Sequence, residues 1–279
     1  MNATRRLPAV LFAAALVAAV VHADAAPLKT IALGHAGPTL VLLPGLGSGT
    51  SDWLPTVKPL LAGDRVVLVD LPGQGDNPLP DPFSLEAAAN ALDATLATLN
   101  PDSTVVVGAG LGGLLALMDL SAHPARARGL VLVDVALKSP IPVDDQQKQA
   151  FTDFMDQNYE QFTRMLFLRL GRDSTQAQQI YAGAQRVPPA TVKAYFRDLL
   201  SVDANKAAHA LTTPFQLVLT ERTYPKGGTW GAAAKTLGWE DTTLTTPRRI
   251  ANAGYWVMKD QPDTLAAVLA AFAAQHVHK

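Results

Sequence analysis

Short apolar runs and helical stripes alternate along most of this chain. Residues 40–43, 66–69, 105–107, 130–133 and 217–219 contain only Leu and Val. A run that is apolar at every position, not every second one, predicts a strand buried on both faces, as in a parallel sheet covered by helices. Residues 31–33 predict an antiparallel edge strand that turns at Gly34-His35-Ala36-Gly37. Between the runs, Leu85, Ala88, Ala89, Leu92, Leu96 and Leu99 recur at helical spacing, and Ser84 stands where a hydroxyl can cap the first turn. Residues 114–122 and 265–274 predict further helices, the second following Pro262. The fold class is therefore α/β, with a mainly parallel sheet and helices on both faces.

Residues 139–212 interrupt the alternation. Ser139-Pro140-Ile141-Pro142 opens the segment. Phe151, Phe154, Met155, Tyr159, Phe162 and Leu166 follow at helical spacing, and Tyr181, Tyr195 and Phe196 come later. The segment reads as an inserted helical cap over the C-terminal ends of the strands. Its aromatic stripe is read as packing against the core, the default use of an apolar helix face. The core then divides into residues 26–138 and 213–279, with the cap at 139–212 between them. Ahead of it, Arg5 and Arg6 precede an uncharged apolar run over 10–21, and Ala23-Asp24-Ala25 supplies small residues at a cleavage site. This is the pattern of a secretory signal peptide over residues 1–25. It predicts an exported protein, periplasmic or secreted, with no membrane span once the leader is cut.

Composition narrows the chemistry. The chain has 279 residues, a formal net charge of −1 and no cysteine. No basic field exists to hold nucleic acid, and disulfides, thiolate nucleophiles and cysteine metal sites are excluded. His35, His123 and His209 show no zinc spacing, and His276 and His278 lie near the C-terminus without partners. No metal and no cofactor are expected.

The chemistry-bearing segment is 104–113, Thr-Val-Val-Val-Gly-Ala-Gly-Leu-Gly-Gly. It is a buried strand, a glycine-rich turn and the start of a helix. Three more blocks accompany it. Leu43-Pro44-Gly45-Leu46-Gly47-Ser48-Gly49 is followed by Trp53. Asp70-Leu71-Pro72-Gly73-Gln74-Gly75 forms a second turn. Gly254-Tyr255-Trp256-Val257-Met258 runs into Asp260-Gln261-Pro262. In this order the four blocks resemble the α/β-hydrolase superfamily, over most of the chain beyond the leader.

The resemblance implies an eight-stranded, mainly parallel sheet and a G-x-S-x-G nucleophile elbow at residues 108–112. By that alignment Gly110 stands at the nucleophile position and Tyr255 at the base position. Pro44 stands where the oxyanion loop usually has His, and Gln74 where His is common. The acid position falls on Glu221 or Asp134, neither with an imidazole to orient. A general base needs a pKa near working pH, whereas a phenol ionises near 10, so Tyr255 reads as a pocket wall. Ser48, between two glycines, reads as a turn residue. No conventional catalytic side chain is expected. The backbone N–H groups of Leu46 and Leu111 depend on no side chain, so an oxyanion hole can persist. Leu46, Gly110, Leu111, Tyr255 and Trp256 are the expected ligand contacts.

Three functions stay open on the sequence. The reading carried forward is an exported protein that binds a small apolar or carbonyl-containing molecule under its cap without conventional hydrolysis. The second is a weak or unconventional hydrolase that uses the oxyanion hole, with Tyr255 or Ser48 taking part. The third is a partner-binding or structural protein with a closed pocket.

Overall fold

The apolar runs form the strands of a single sheet in the computed structural model, which describes residues 25–139, 144–242 and 247–277. They are β1 (Thr30–Leu33), β2 (Thr39–Leu43), β3 (Arg65–Val69), β4 (Thr104–Ala109), β5 (Gly129–Val133), β6 (Phe215–Thr220) and β7 (Arg248–Ile250). Their order is β1-β3-β2-β4-β5-β6-β7. β1 pairs antiparallel with β3, and every other pairing is parallel. Every residue of β2, β4 and β5 is buried, as strands covered on both faces require. The sheet has seven strands among the described residues, one fewer than the eight that the resemblance implies. The leader read over residues 1–25 falls almost wholly outside the described residues, as does His278.

The helices are α1 (Leu54–Leu60), α2 (Leu85–Leu96), α3 (Leu111–Ala122), α4 (Asp145–Gln157), α5 (Tyr159–Phe167) and α6 (Ser174–Ala184). They continue with α7 (Pro189–Leu199), α8 (Asn205–Ala210), α9 (Trp230–Leu237), α10 (Val257–Asp260) and α11 (Pro262–His276). Ser84 caps α2 by accepting from the Ala87 N–H at 3.0 Å. α2 packs on α3, and α1 packs on α11. None of the described helices is long and apolar enough to cross a membrane.

Helices α4 to α8 lie between β5 and β6. Met155, Phe162, Phe196 and Leu200 form a small core of their own there. The rings of Phe162 and Phe196 meet edge to face, 4.6 Å apart. α7 is tied to the turn after β3: Tyr195 donates to the Pro72 carbonyl and Thr191 to the Gly73 carbonyl, each at 3.0 Å. These bonds hold the helical segment across the C-terminal edge of the sheet. Leu43 pairs with Gly108, and Ala109 with Val133, so the ends of β2, β4 and β5 come out side by side.

Candidate active site

β4 enters α3 through Gly110, whose backbone sits at φ 50°, ψ −116°. Only glycine adopts such a conformation cheaply. The turn is pinned on both sides. The Gly110 N–H donates to the Val133 carbonyl at 2.8 Å, and its own carbonyl accepts from the Leu114 N–H at 3.0 Å. A Cβ on Gly108 would strike the backbone of Gly112 and Gly113, and one on Gly112 would strike the Pro44 carbonyl. Close approach therefore demands those two glycines. At Gly110 a Cβ would meet nothing within 4 Å. The geometry is that of a nucleophile elbow whose central residue carries no side chain and faces open space.

The loop after β2 completes the neighbourhood. Ser48 N–H closes a turn onto the Gly45 carbonyl at 3.1 Å, and Gly47 takes φ 79°. Gln74, buried at 1 % exposure, braces this turn. Its Oε1 accepts from the Gly47 N–H at 2.9 Å and its Nε2 donates to the Gly45 carbonyl at 3.4 Å. Leu111 is the first residue of α3, so its N–H is among those a helix leaves without an internal acceptor. The Leu46 N–H also has no acceptor among the described residues.

Leu46, Gly110, Leu111 and Tyr255 line one cavity of about 270 Å³. Its roof comes from α5, α7 and the turns beside them, through Leu166, Phe167, Phe196, Leu199 and Leu200. The wall is largely apolar, with Asp134, Lys138, Ser139, Arg222, Thr223 and Tyr255 as polar exceptions, and Lys138 is paired with Glu240 at 2.7 Å. Of the ligand contacts expected from the sequence, Trp256 is not on this wall. Its indole is buried behind the loop and donates to Ser48 Oγ at 2.7 Å. Ser48, 5 % exposed, also lies off the cavity wall. The Ser48–Trp256 bond instead locks the loop after β2 to the loop after β7.

Tyr255 donates its hydroxyl to the Leu46 carbonyl at 2.7 Å, and that oxygen is packed tightly on Gly45. Burial raises its pKa well above the usual phenol value. It therefore acts as a hydrogen-bond donor, not a base. The two candidate acids sit apart. Glu221, just past β6, accepts from Arg249 at 3.0 Å and from the Asn252 N–H at 2.9 Å. The Asn252 bond, with Arg249 beside it, holds this carboxyl below its ordinary range. Glu221 thus anchors the loop that carries Tyr255. Asp134, just past β5, adopts a positive φ of 50°. It accepts from Thr220 N–H at 2.8 Å, from Thr220 Oγ1 at 2.6 Å and from the Thr223 hydroxyl. Burial raises its pKa, opposed by these donors and by Arg222.

None of the described histidines lines this cavity. His209 binds the carbonyls of Asn205 and Asp241, and His276 binds that of Phe272. His123, which shows no zinc spacing in the sequence, meets two carboxylates on folding. Its Nδ1 lies 2.9 Å from Asp119 and 3.4 Å from Asp93. These three could surround an ion by distance alone, but Arg126 already engages both oxygens of Asp93 at 2.5 and 3.2 Å. The i, i+4 spacing of Asp119 and His123 was the available signal. Asp93, on the preceding helix α2, left none.

Known proteins place this geometry in a family. The sequence pattern described as the alpha/beta hydrolase family matches residues 40–268. A pimeloyl-(acyl-carrier protein) methyl ester esterase from Pseudoalteromonas atlantica is 31 % identical over 206 residues, covering 69 % of this chain and 78 % of that one. A putative carbamate hydrolase from Serratia proteamaculans is 36 % identical over 99 residues, which is 35 % of this chain and 37 % of that one. Among solved structures, a hydrolase from Oleispira antarctica superposes with a TM-score of 0.74 at 15 % identity, covering 88 % of this chain and 94 % of that one. A thermophilic esterase from Thermogutta terrifontis gives 0.71 at 18 % identity, covering 90 % and 94 %. At these identities the two structures speak for the fold.

Proposed function

The chain belongs to the alpha/beta hydrolase family, and from that premise we propose that it hydrolyses small apolar esters slowly, with no acyl-enzyme formed at position 110. The acyl carbonyl binds to the N–H groups of Leu46 and Leu111, and the acyl chain lies against Leu166, Phe167 and Phe196. One observation carries this reading: the elbow keeps its strained backbone and its open face at Gly110, while Leu46 and Leu111, whose N–H groups have no acceptor among the described residues, line the same cavity. The side-chain nucleophile and base are lost, since position 110 is glycine and Tyr255 is a donor. The names of the relatives, an esterase and a hydrolase, support turnover over pure binding. That displaces the reading first drawn from the sequence.

Magnitude decides what rate to expect. An oxyanion hole and binding, without a triad, leave about 10³–10⁴-fold acceleration over water. This is far below the ~10⁶-fold or more of ordinary enzymes. Binding without turnover remains the second reading, favoured by the absence of any hydroxyl at the elbow. The test is Leu111→Pro. Proline is tolerated at the first position of a helix and removes the N–H. Loss of one such donor costs on the order of 10²–10³-fold in rate. Leu111→Ala, which keeps the N–H and trims the side chain, is the control. With 4-nitrophenyl butyrate, Leu111→Pro should lose most of the hydrolysis that Leu111→Ala retains. Equal rates would reject the oxyanion role, and a parent protein no faster than buffer would reject turnover.

A further inference from the structure

We propose that Asp134 is the general base that drives water directly onto the bound carbonyl carbon. The proposal rests on the hydrolytic reading above and supplies the step that reading leaves open. Ala109 pairs with Val133 across β4 and β5, and the Gly110 N–H is held by the Val133 carbonyl at 2.8 Å. Asp134 is therefore the next residue beside Gly110 at the sheet's edge, and both line the same cavity. The Tyr255 hydroxyl donates to the Leu46 carbonyl at 2.7 Å and lies against Gly45, where a Cβ would strike it, so the phenol sits by the loop after β2. The cavity floor thus has N–H donors of Leu46 and Leu111 and a phenol toward β2, and a carboxylate toward β6.

Asp134 is built to stay there. Its φ of 50° is one that aspartate, with its short polar side chain, adopts more readily than most residues. The carboxylate is fixed by Thr220 through both N–H and hydroxyl and by the Thr223 hydroxyl. Oδ2 accepts from only one of these groups, so a lone pair is left for a water proton. A base with a pKa between an ordinary carboxylate and neutrality is a better proton acceptor than a solvated one. Burial moves Asp134 in that direction, while the Thr220 and Thr223 donors and then Arg222 restrain it. The other titratable groups on the cavity wall are Tyr255 and Lys138.

The step balances without a further reagent. The water oxygen bonds to the ester carbon as its proton passes to Asp134. The carbonyl electrons move onto the oxyanion at Leu46 and Leu111. Collapse breaks the bond to the alcohol oxygen, which leaves with the proton from Asp134. Ester and water become acid and alcohol.

The experiment measures 4-nitrophenyl butyrate hydrolysis against pH for the full protein, Asp134→Asn and Thr223→Val. Asn tolerates a positive φ and keeps an oxygen for the Thr220 N–H. The parent rate should rise through a midpoint above the ordinary carboxylate value of about 4. Asp134→Asn should lose that titration and about 10²-fold in rate, the lower end of general-base contributions. Thr223→Val removes a donor to the carboxylate and should move the midpoint upward. A parent rate equal to buffer overturns the hydrolytic reading and this one together. A parent that hydrolyses while Asp134→Asn keeps its rate and profile overturns the role of Asp134 alone. If Asp134→Asn does not fold, an unmoved midpoint in Thr223→Val overturns it.

Discussion

Gly110 keeps the backbone of an elbow and has room for a side chain, so the cost of adding one there is strain without collision. Gly110→Ala should lower stability by about 1–3 kcal/mol, the usual cost of a side chain in such a conformation. Gly108→Ala, which forces a Cβ into the backbone of Gly112 and Gly113, should cost more. Urea unfolding of the two variants checks the order, and a reversed order would mean that the elbow is not built as described. The same open face supports a reconstruction. Gly110→Ser with Tyr255→His should raise ester hydrolysis above either single change, since nucleophile and base act as a unit. Equal rates for all three would show that the two positions do not face each other. The sequence made Gly110 and Tyr255 legible because both sit in blocks with fixed spacing. The bracing by Gln74 and the turn of Trp256 toward Ser48 were not legible. Each depends on partners 27 and 208 residues away, and no local pattern encodes such a distance.

The buried strands were readable because each carries an unbroken run of Leu and Val, at 40–43, 105–107 and 130–133. β7 was not, since Arg248-Arg249-Ile250 is short, polar and at the sheet's edge. α1 was hidden by Pro55 and Pro59, of which the first sits where a helix tolerates proline. The helical segment was visible as a break in the alternation, but its attachment to the turn after β3 through Thr191 and Tyr195 was not. That segment roofs the cavity through its own small core, so its packing should govern the site. Phe162 is fully buried against Phe196, itself a cavity residue. Phe162→Ala should cost about 3–5 kcal/mol. In the fraction that stays folded it should raise KM for butyryl esters more than it lowers kcat. An unchanged KM would show that the roof does not contact the acyl chain.

For the whole molecule, the clearest titration lies away from the cavity. Asp119 is 3 % exposed, its Oδ1 faces His123, and its Oδ2 has no partner among the described residues. Burial raises its carboxyl to about 6. The folded state therefore binds this proton more tightly than the unfolded chain does. Its contribution is fully present below the unfolded value of about 4 and is lost as pH rises through about 6, by roughly 3 kcal/mol. Asp119→Asn should flatten that part of the stability–pH curve in urea titrations at pH 4.5 and 7.5. A variant with the same slope as the parent would remove Asp119 as its source.

In the mechanism proposed above, water attacks the carbonyl in the cavity and nothing becomes covalently attached to the protein. The most direct measurement follows 4-nitrophenyl butyrate in ¹⁸O-labelled water by intact-protein and product mass spectrometry, with acid quenching during turnover. The parent protein should keep its unmodified mass at every time point, and the butyrate should carry a single ¹⁸O. A butyryl adduct that forms and decays at the rate of turnover, on Ser48, Tyr255 or any other residue, would contradict the account.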